Sequence, residues 1–189
     1  METPKERFIR LLLSTERTGA SDVATLIKDL EMSDWFVAPA SSKYHCAYKG
    51  GLVDHSLAVY DELERLYAAY PELNISEQSR IIVALLHDLC KINTYKQVEK
   101  FKKNEFGQWE KYLAYEHDES YKFGGHGSKS VFLASRYIVL TDEEAAAINC
   151  HMSTWEEGKV QEISQVFNVN PLAWLLHIAD ESATFIQKK

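Results

Sequence analysis

The apolar run Ile81-Ile82-Val83-Ala84-Leu85-Leu86 ends in His87-Asp88. A run with no polar break is buried on every side, whichever element carries it. The imidazole and carboxylate at its end therefore enter apolar surroundings, where an unpaired charge is costly. A divalent cation is the partner that suits both groups. The same dipeptide recurs at His117-Asp118, within Tyr115-Glu116-His117-Asp118-Glu119-Ser120. There a solvated surface is explanation enough, so the setting of the dipeptide carries the information.

Helical periodicity dominates the rest of the chain. It predicts helices over Pro4 to Ser14 and Ser21 to Leu30, the second with Ser21 as N-cap. A loop from Trp35 closes on Gly50-Gly51. The next helix runs from Leu52 to Tyr70, with Leu52, Val59, Leu63, Leu66 and Tyr70 on one face together with His55. Ser76 opens the helix that enters His87, with Ser79 and Arg80 on its exposed side. Between Asn93 and Gly125 the helical signal weakens. Phe106-Gly107-Gln108-Trp109 reads as a turn, and the alternation of Trp109, Lys111, Leu113 and Tyr115 as part of a small β-hairpin around 95–116. Helices follow from Ser128 to Val139, from the capping box Thr141-Asp142-Glu143-Glu144 to His151-Met152, from Val160 to Phe167, and from Asn170-Pro171 to Gln187. The expectation is an all-α fold in one domain over 1–189, with residues 1–40 as a helical extension packed on it.

The 189 residues are enough for a sizeable core. A net charge of -7 disfavours broad nucleic-acid binding, which needs a basic face. Lys96, Lys100, Lys102, Lys103 and Lys111 cluster in the middle of the chain. They read as a solvated face, with a patch that steers phosphate as the alternative. Cys46, Cys90 and Cys150 are widely spaced and odd in number, which fits reduced thiols. No segment has the length and apolarity of a signal peptide or a transmembrane helix, so a cytoplasmic protein is expected.

Two further positions raise the question posed by Asp88. His55 lies on the apolar face of its helix. Asp180 stacks one turn beyond Leu176, after Leu172-Ala173-Trp174-Leu175-Leu176. Alone, His55 would read as a core histidine and Asp180 as a capping or paired residue. With His87 and Asp88 they make two imidazoles and two carboxylates on three apolar helix faces, a mixed nitrogen and oxygen donor set for one metal. His126, after Gly124-Gly125, and His151, at a helix end, extend the set. If Asp88 bridges, they serve a second metal. Paired metals suit phosphate-ester hydrolysis, because they polarise phosphoryl oxygens and activate water. His177 shares a face with Asp180 and reads as a supporting residue. His45, in the loop before Gly50-Gly51, is placed to reach substrate, and His117 reads as surface.

In order, His55, His87-Asp88, His126, His151 and Asp180 resemble the two-metal form of the HD-domain superfamily of metal-dependent phosphohydrolases. His87-Asp88-Leu89-Cys90-Lys91-Ile92 is similar to its HD-x-G-K-I motif, with Cys90 where glycine is usual. Tyr44 to His55 resembles the HD domain of bacterial 3′-to-5′ exoribonucleases of the YhaM type. Gly125 to Ser130 and His177-Ile178-Ala179-Asp180 also look like HD-hydrolase segments. The resemblance covers Tyr44 to Ala183. It implies an HD-domain helical bundle with His55, His87, Asp88 and Asp180 at one divalent metal and Asp88, His126 and His151 at the other. Manganese, iron or a similar ion is implied, with magnesium or nickel open. It also implies Asp88 as a catalytic residue and Lys91 as a charge clamp on phosphate, although a lysine at a helix C-terminus is equally favoured by the helix dipole. Lys129 sits in a first helical turn, where an external anion explains it better than the dipole does.

Some expectations of the family are not met. About 40 mostly helical residues precede Tyr44, so no oligonucleotide-binding barrel is expected there, and processive RNA degradation is not. The residues after His151 contain no Gly-Tyr-Pro, which argues against a cyclic-di-GMP phosphodiesterase of the HD-GYP class. The leading expectation is a phosphohydrolase acting on a nucleotide or short phosphodiester. A di-iron HD-domain oxygenase such as myo-inositol oxygenase has the same ligand order. A non-catalytic module that binds a nucleotide or a partner is the third reading.

Overall fold

The computed structural model describes residues 2–118, 123, 125–152 and 160–186, the first three of the last span by backbone alone. Gly124 of the Gly124-Gly125 pair, residues 153–158 after His151, and Gln187 lie outside the described residues. Eight helices are described: α1 Pro4–Leu13, α2 Val23–Met32, α3 Gly51–Ala68, α4 Glu77–Leu86, α5 His126–Ser135, α6 Asp142–Cys150, α7 Val160–Val169 and α8 Pro171–Phe185. Short 3-10 turns occupy Pro71–Leu73 and Leu89–Lys91. Strands β1 Tyr95–Lys103 and β2 Trp109–His117 form the one sheet described, so the fold is mostly α.

Local chemistry sets the helix starts. Thr3 and Glu6 form a capping box around Pro4, and Thr141 and Glu144 form another at α6. Ser76 caps α4, and Asn170 caps α8 ahead of Pro171. At α2 the cap is Asp22 rather than Ser21: its carboxylate accepts from the Thr25 N–H at 2.7 Å. The Ser21 N–H donates to the Tyr137 carbonyl at 2.8 Å. α3 begins at Gly51, after Gly50 in the left-handed region at φ 86°. It ends at Ala68, so Tyr70 falls beyond it and is exposed. α5 starts at His126, two residues before the expected Ser128.

α3 packs most extensively on α8 and then on α4, while α6 bridges α8 and α5. The core they share includes Leu52, Val59 and Leu63 of α3, all six residues of the Ile81–Leu86 run, and Leu172, Leu175, Leu176 and Ala179 of α8. α1 and α2 add Phe8, Leu12, Leu26 and Leu30 to the same cluster. Arg80 is buried, not exposed as the sequence pattern implied. Its guanidinium bonds Glu64 at 2.6 Å and the Ile75 carbonyl at 2.5 Å, and lies 3.9 Å from the Tyr67 ring centroid. These partners satisfy a charge that periodicity alone would send to solvent. Among the described residues, no helix is long and apolar enough to cross a membrane.

The hairpin pairs antiparallel from Tyr95↔His117 to Lys103↔Trp109. Phe101, Trp109 and Leu113 lie on one face of it and are exposed. Its lysines have acidic neighbours: Lys96 with Asp118 at 3.3 Å, Lys100 with Glu116 at 2.8 Å, Lys102 with Glu110 at 3.9 Å, and Lys111 with Glu99. Lys103 lies over the Trp109 ring. The lysines are divided between the two faces of the hairpin, solvated and largely charge-balanced, and they provide little net field to steer a phosphate.

Glu144 is fully buried and receives two guanidinium nitrogens of Arg17, at 3.0 and 2.7 Å. The pair ties the α1–α2 connection to α6. Arg17→Ala strands a buried carboxylate, and we expect a loss of about 3 kcal/mol in urea unfolding. A loss below about 1 kcal/mol would class the pair with ordinary exposed ones.

Candidate metal centre

The core helices deliver their polar residues at or near helix ends. His87 is the C-cap of α4 and His151 the C-cap of α6. In each case the last-turn carbonyls lack helical partners. His87 Nδ1 lies 2.8 Å from the Ala84 carbonyl, and His151 Nδ1 lies 2.7 Å from the Ile148 carbonyl. A carbonyl only accepts, so both Nδ1 atoms carry the proton. In the neutral ring this leaves a lone pair on each Nε2. Both Nε2 atoms are buried and have no hydrogen-bond partner. The two ring centroids are 5.0 Å apart. The helix ends thus act as tautomer locks that aim two imidazole lone pairs into one space.

The carboxylates close that space. Asp88 is 2% exposed. Its Oδ2 accepts from Lys91 Nζ at 2.6 Å and lies 3.4 Å from His87 Nε2 and 3.8 Å from His55 Nε2. Its Oδ1 is 3.8 Å from His151 Nε2 and has no hydrogen-bond partner. Asp180, on α8, places Oδ1 3.0 Å from His55 Nε2 and 3.9 Å from His87 Nε2. Burial opposes ionisation of both acids. The charges of Lys91, His87 and His55 outweigh it at Asp88, and the histidines outweigh it at Asp180, so both carboxyls titrate below their usual range. His87 and His55 balance part of the carboxylate charge beside Lys91, and Asp88 Oδ1 and the Nε2 atoms of His87 and His151 remain without hydrogen-bond partners. These buried histidine and aspartate groups lie close enough to one another to hold a metal ion.

Three groups of donor atoms converge within 4.8 Å: His55, His87 and Asp88; His87, His151 and Asp180; and Asp88, Cys90 and His126. All six histidine and aspartate ligands expected from the sequence are thus in one linked constellation. The close groups overlap, since His151 Nε2 is also 3.8 Å from Asp88 Oδ1. His151 joins His87 and Asp180, because α6 ends beside the end of α4. His126 opens α5, which packs on the Leu89–Lys91 turn, and it joins Asp88 and Cys90. Gly127 permits that approach: a Cβ there would lie 2.3 Å from the Asn149 carbonyl oxygen of α6. Cys90 was read in the sequence only as a thiol in place of glycine; its spacing of two from Asp88 was the signal available.

The remaining expected residues are placed as follows. Lys91 is buried against Asp88, so its ammonium first compensates a ligand charge instead of standing free for phosphate. Lys129 is half-buried in the first turn of α5, close enough for its charge to act on the Cys90 thiol. The His45 ring packs on His55, centroids 4.7 Å apart, and both its nitrogens are buried without hydrogen bonds. His177 Nδ1 lies 2.8 Å from the His151 carbonyl and donates to it, and its ring stacks on Phe167. It braces the His151 main chain, as a supporting residue would. His117 is exposed beside Tyr95. A cleft of about 390 Å³ opens beside His45 and His55, with Arg7, Tyr48, Asp54 and Asp61 on its wall.

No family model, no curated protein and no solved structure matches this chain.

Two measurements follow from the geometry. A divalent cation at about 100 times its Kd should add about 2.7 kcal/mol to unfolding stability. His87→Ala should abolish that gain and His117→Ala should retain it; an equal gain in both variants would move the binding elsewhere. Burial also pushes the pKa of His45 and His151 down to about 4. A histidine held neutral in the fold but free to protonate near 6.5 when unfolded favours unfolding as pH falls between those values. With a chelator present, urea midpoints should therefore drop from pH 7 to pH 5, and drop less in His151→Gln. Parallel slopes for the two proteins would contradict this assignment.

Proposed function

We propose that this chain is a metal-dependent phosphohydrolase of the HD-domain type, acting on a nucleotide or another small phosphoester. The observation that carries the reading is the pair of locked imidazoles, His87 and His151, whose unpartnered Nε2 atoms lie 3.4 and 3.8 Å from the two oxygens of the Asp88 carboxylate. The proposed fold is the HD bundle, and two divalent cations, manganese, iron or similar, are the proposed cofactors. His55, His87, Asp88, Asp180, His126 and His151 would hold them. Bound there, divalent cations polarise a phosphoryl oxygen and lower the pKa of a water for attack.

The protein's own residues supply the rest. The helix caps keep His87 and His151 in the ligating tautomer and exclude water from their rings. Asp88 is oriented by Lys91, whose ammonium would stand beside the centre to meet negative charge developing on the phosphoryl group. The cleft beside His55 takes the remainder of the substrate. Its walls carry Asp54, which accepts from the Tyr48 hydroxyl at 2.9 Å, and Asp61, which is clamped by Arg7. Carboxylate acceptors favour hydroxyl or amino groups, such as those of a nucleoside, over a second phosphate. His45 sits between this cleft and the centre, where a neutral imidazole can bond a leaving-group oxygen.

The test is turnover of phosphomonoesters and phosphodiesters, including nucleotides, by protein loaded with manganese or iron. Asp88→Ala should lower kcat/KM by about two orders of magnitude or more, and a chelator should abolish turnover. Activity that survives both would refute the reading. Metal-dependent oxygen consumption without ester cleavage would favour the oxygenase.

A further inference from the structure

Cys90 lies two residues after Asp88, in the Leu89–Lys91 turn, and is buried. Its Sγ is 3.6 Å from His126 Nδ1. The turn is pinned on both sides. The Cys90 N–H donates to Ser130 Oγ of α5 at 3.0 Å, and its carbonyl accepts from Thr94 Oγ1 at 3.1 Å. The sulfur is therefore held at the junction of α5 and the end of α4, with Asp88 and His126 donor atoms within 4.8 Å. A buried thiol alone is commonly inert packing. Here a second observation marks the place: Asp88 Oδ1 is buried and has no hydrogen-bond partner.

We propose that Asp88, Cys90 and His126 form a carboxylate–thiolate–imidazole site that selects a borderline-soft divalent cation, zinc or ferrous iron, over magnesium or manganese. The proposal rests on the metal-centre reading above and deepens it by assigning this position a sulfur ligand. Three protein donors leave a fourth position open, the pattern of sites that keep room for water or substrate. Thiolate and imidazole favour zinc and iron, whereas magnesium and manganese favour oxygen donors. The thiol proton leaves to solvent as the cation binds, so the cation adds a thiolate to a site that already holds the Asp88 carboxylate. The Leu89–Lys91 turn would then present two anionic ligands, Asp88 and Cys90, two residues apart on a rigid loop.

The test uses the full chain, stripped with chelator and titrated with cobalt(II) under reducing conditions. Visible d–d bands report any bound cobalt, and a near-ultraviolet charge-transfer band reports a thiolate ligand. Wild type should show both. Cys90→Ser should lose the near-ultraviolet band, keep visible bands from the remaining position, and bind zinc at least about tenfold more weakly. Manganese affinity should not change. The double variant Cys46→Ser, Cys150→Ser, which has only the Cys90 thiol, should keep both bands, and it tests the assignment even if Cys90→Ser does not fold. Visible bands without a charge-transfer band in wild type would overturn the sulfur ligand and leave the metal centre standing. No cobalt spectrum at all would overturn the metal centre, and the proposal with it.

Discussion

The Asp88 carboxylate lies against the Lys91 ammonium at 2.6 Å, both groups inside the core, and the surrounding side chains are placed by what that pair leaves unsatisfied. One lysine neutralises one carboxylate, yet Asp180 adds a second negative charge within reach of the same histidines. Burying that excess charge is unfavourable unless something positive completes the site. His55 and His87 supply part of the compensation in the structure itself. The unpartnered atoms, His87 Nε2, His151 Nε2 and Asp88 Oδ1, mark where more is needed. Structure and chemistry meet at this point, because the arrangement makes little sense as packing and good sense as a receptor.

The hydrophobic core is what makes such a receptor rigid. The Ile81–Leu86 run is buried on all sides, so α4 cannot rotate to relieve His87 and Asp88. α3 and α8 pack along their length and hold His55 against Asp180. α6 ends where its last carbonyls orient His151, and α5 is brought close enough to α6, through Gly127, to set His126 over the turn. Each ligand therefore sits on a regular element whose other face is committed to apolar packing. A functional constellation held this way keeps its geometry before any cation arrives.

Much of this was legible in the chain. The apolar faces of α3 and α8 singled out His55 and Asp180, because each breaks an otherwise apolar stripe. The caps at Ser76, Thr141 and Asn170 followed from residue types alone. Ser21 and Asp22 are adjacent capping residues, and it is the Asp22 carboxylate that takes the Thr25 N–H, a choice residue type does not decide. Arg80 failed because its partners, Glu64 and Tyr67, come from another helix. The division of ligands between His126 and His151 depends on how four helix ends converge, and spacing along the chain carries no record of that. The nearness of Cys90 to His126, at 3.6 Å, is not legible in the chain, because the two residues meet only where α5 packs on the Leu89–Lys91 turn.

The claim at the centre of this account is that the Asp88 constellation binds metal. Anomalous diffraction from crystals equilibrated with manganese or zinc, collected at the absorption edge of the metal, tests it most directly. The account predicts an anomalous peak within ligand distance of His87 Nε2 and an Asp88 oxygen, with His55, His151 or Asp180 completing its coordination. Crystals saturated with metal that show no anomalous density there would contradict it.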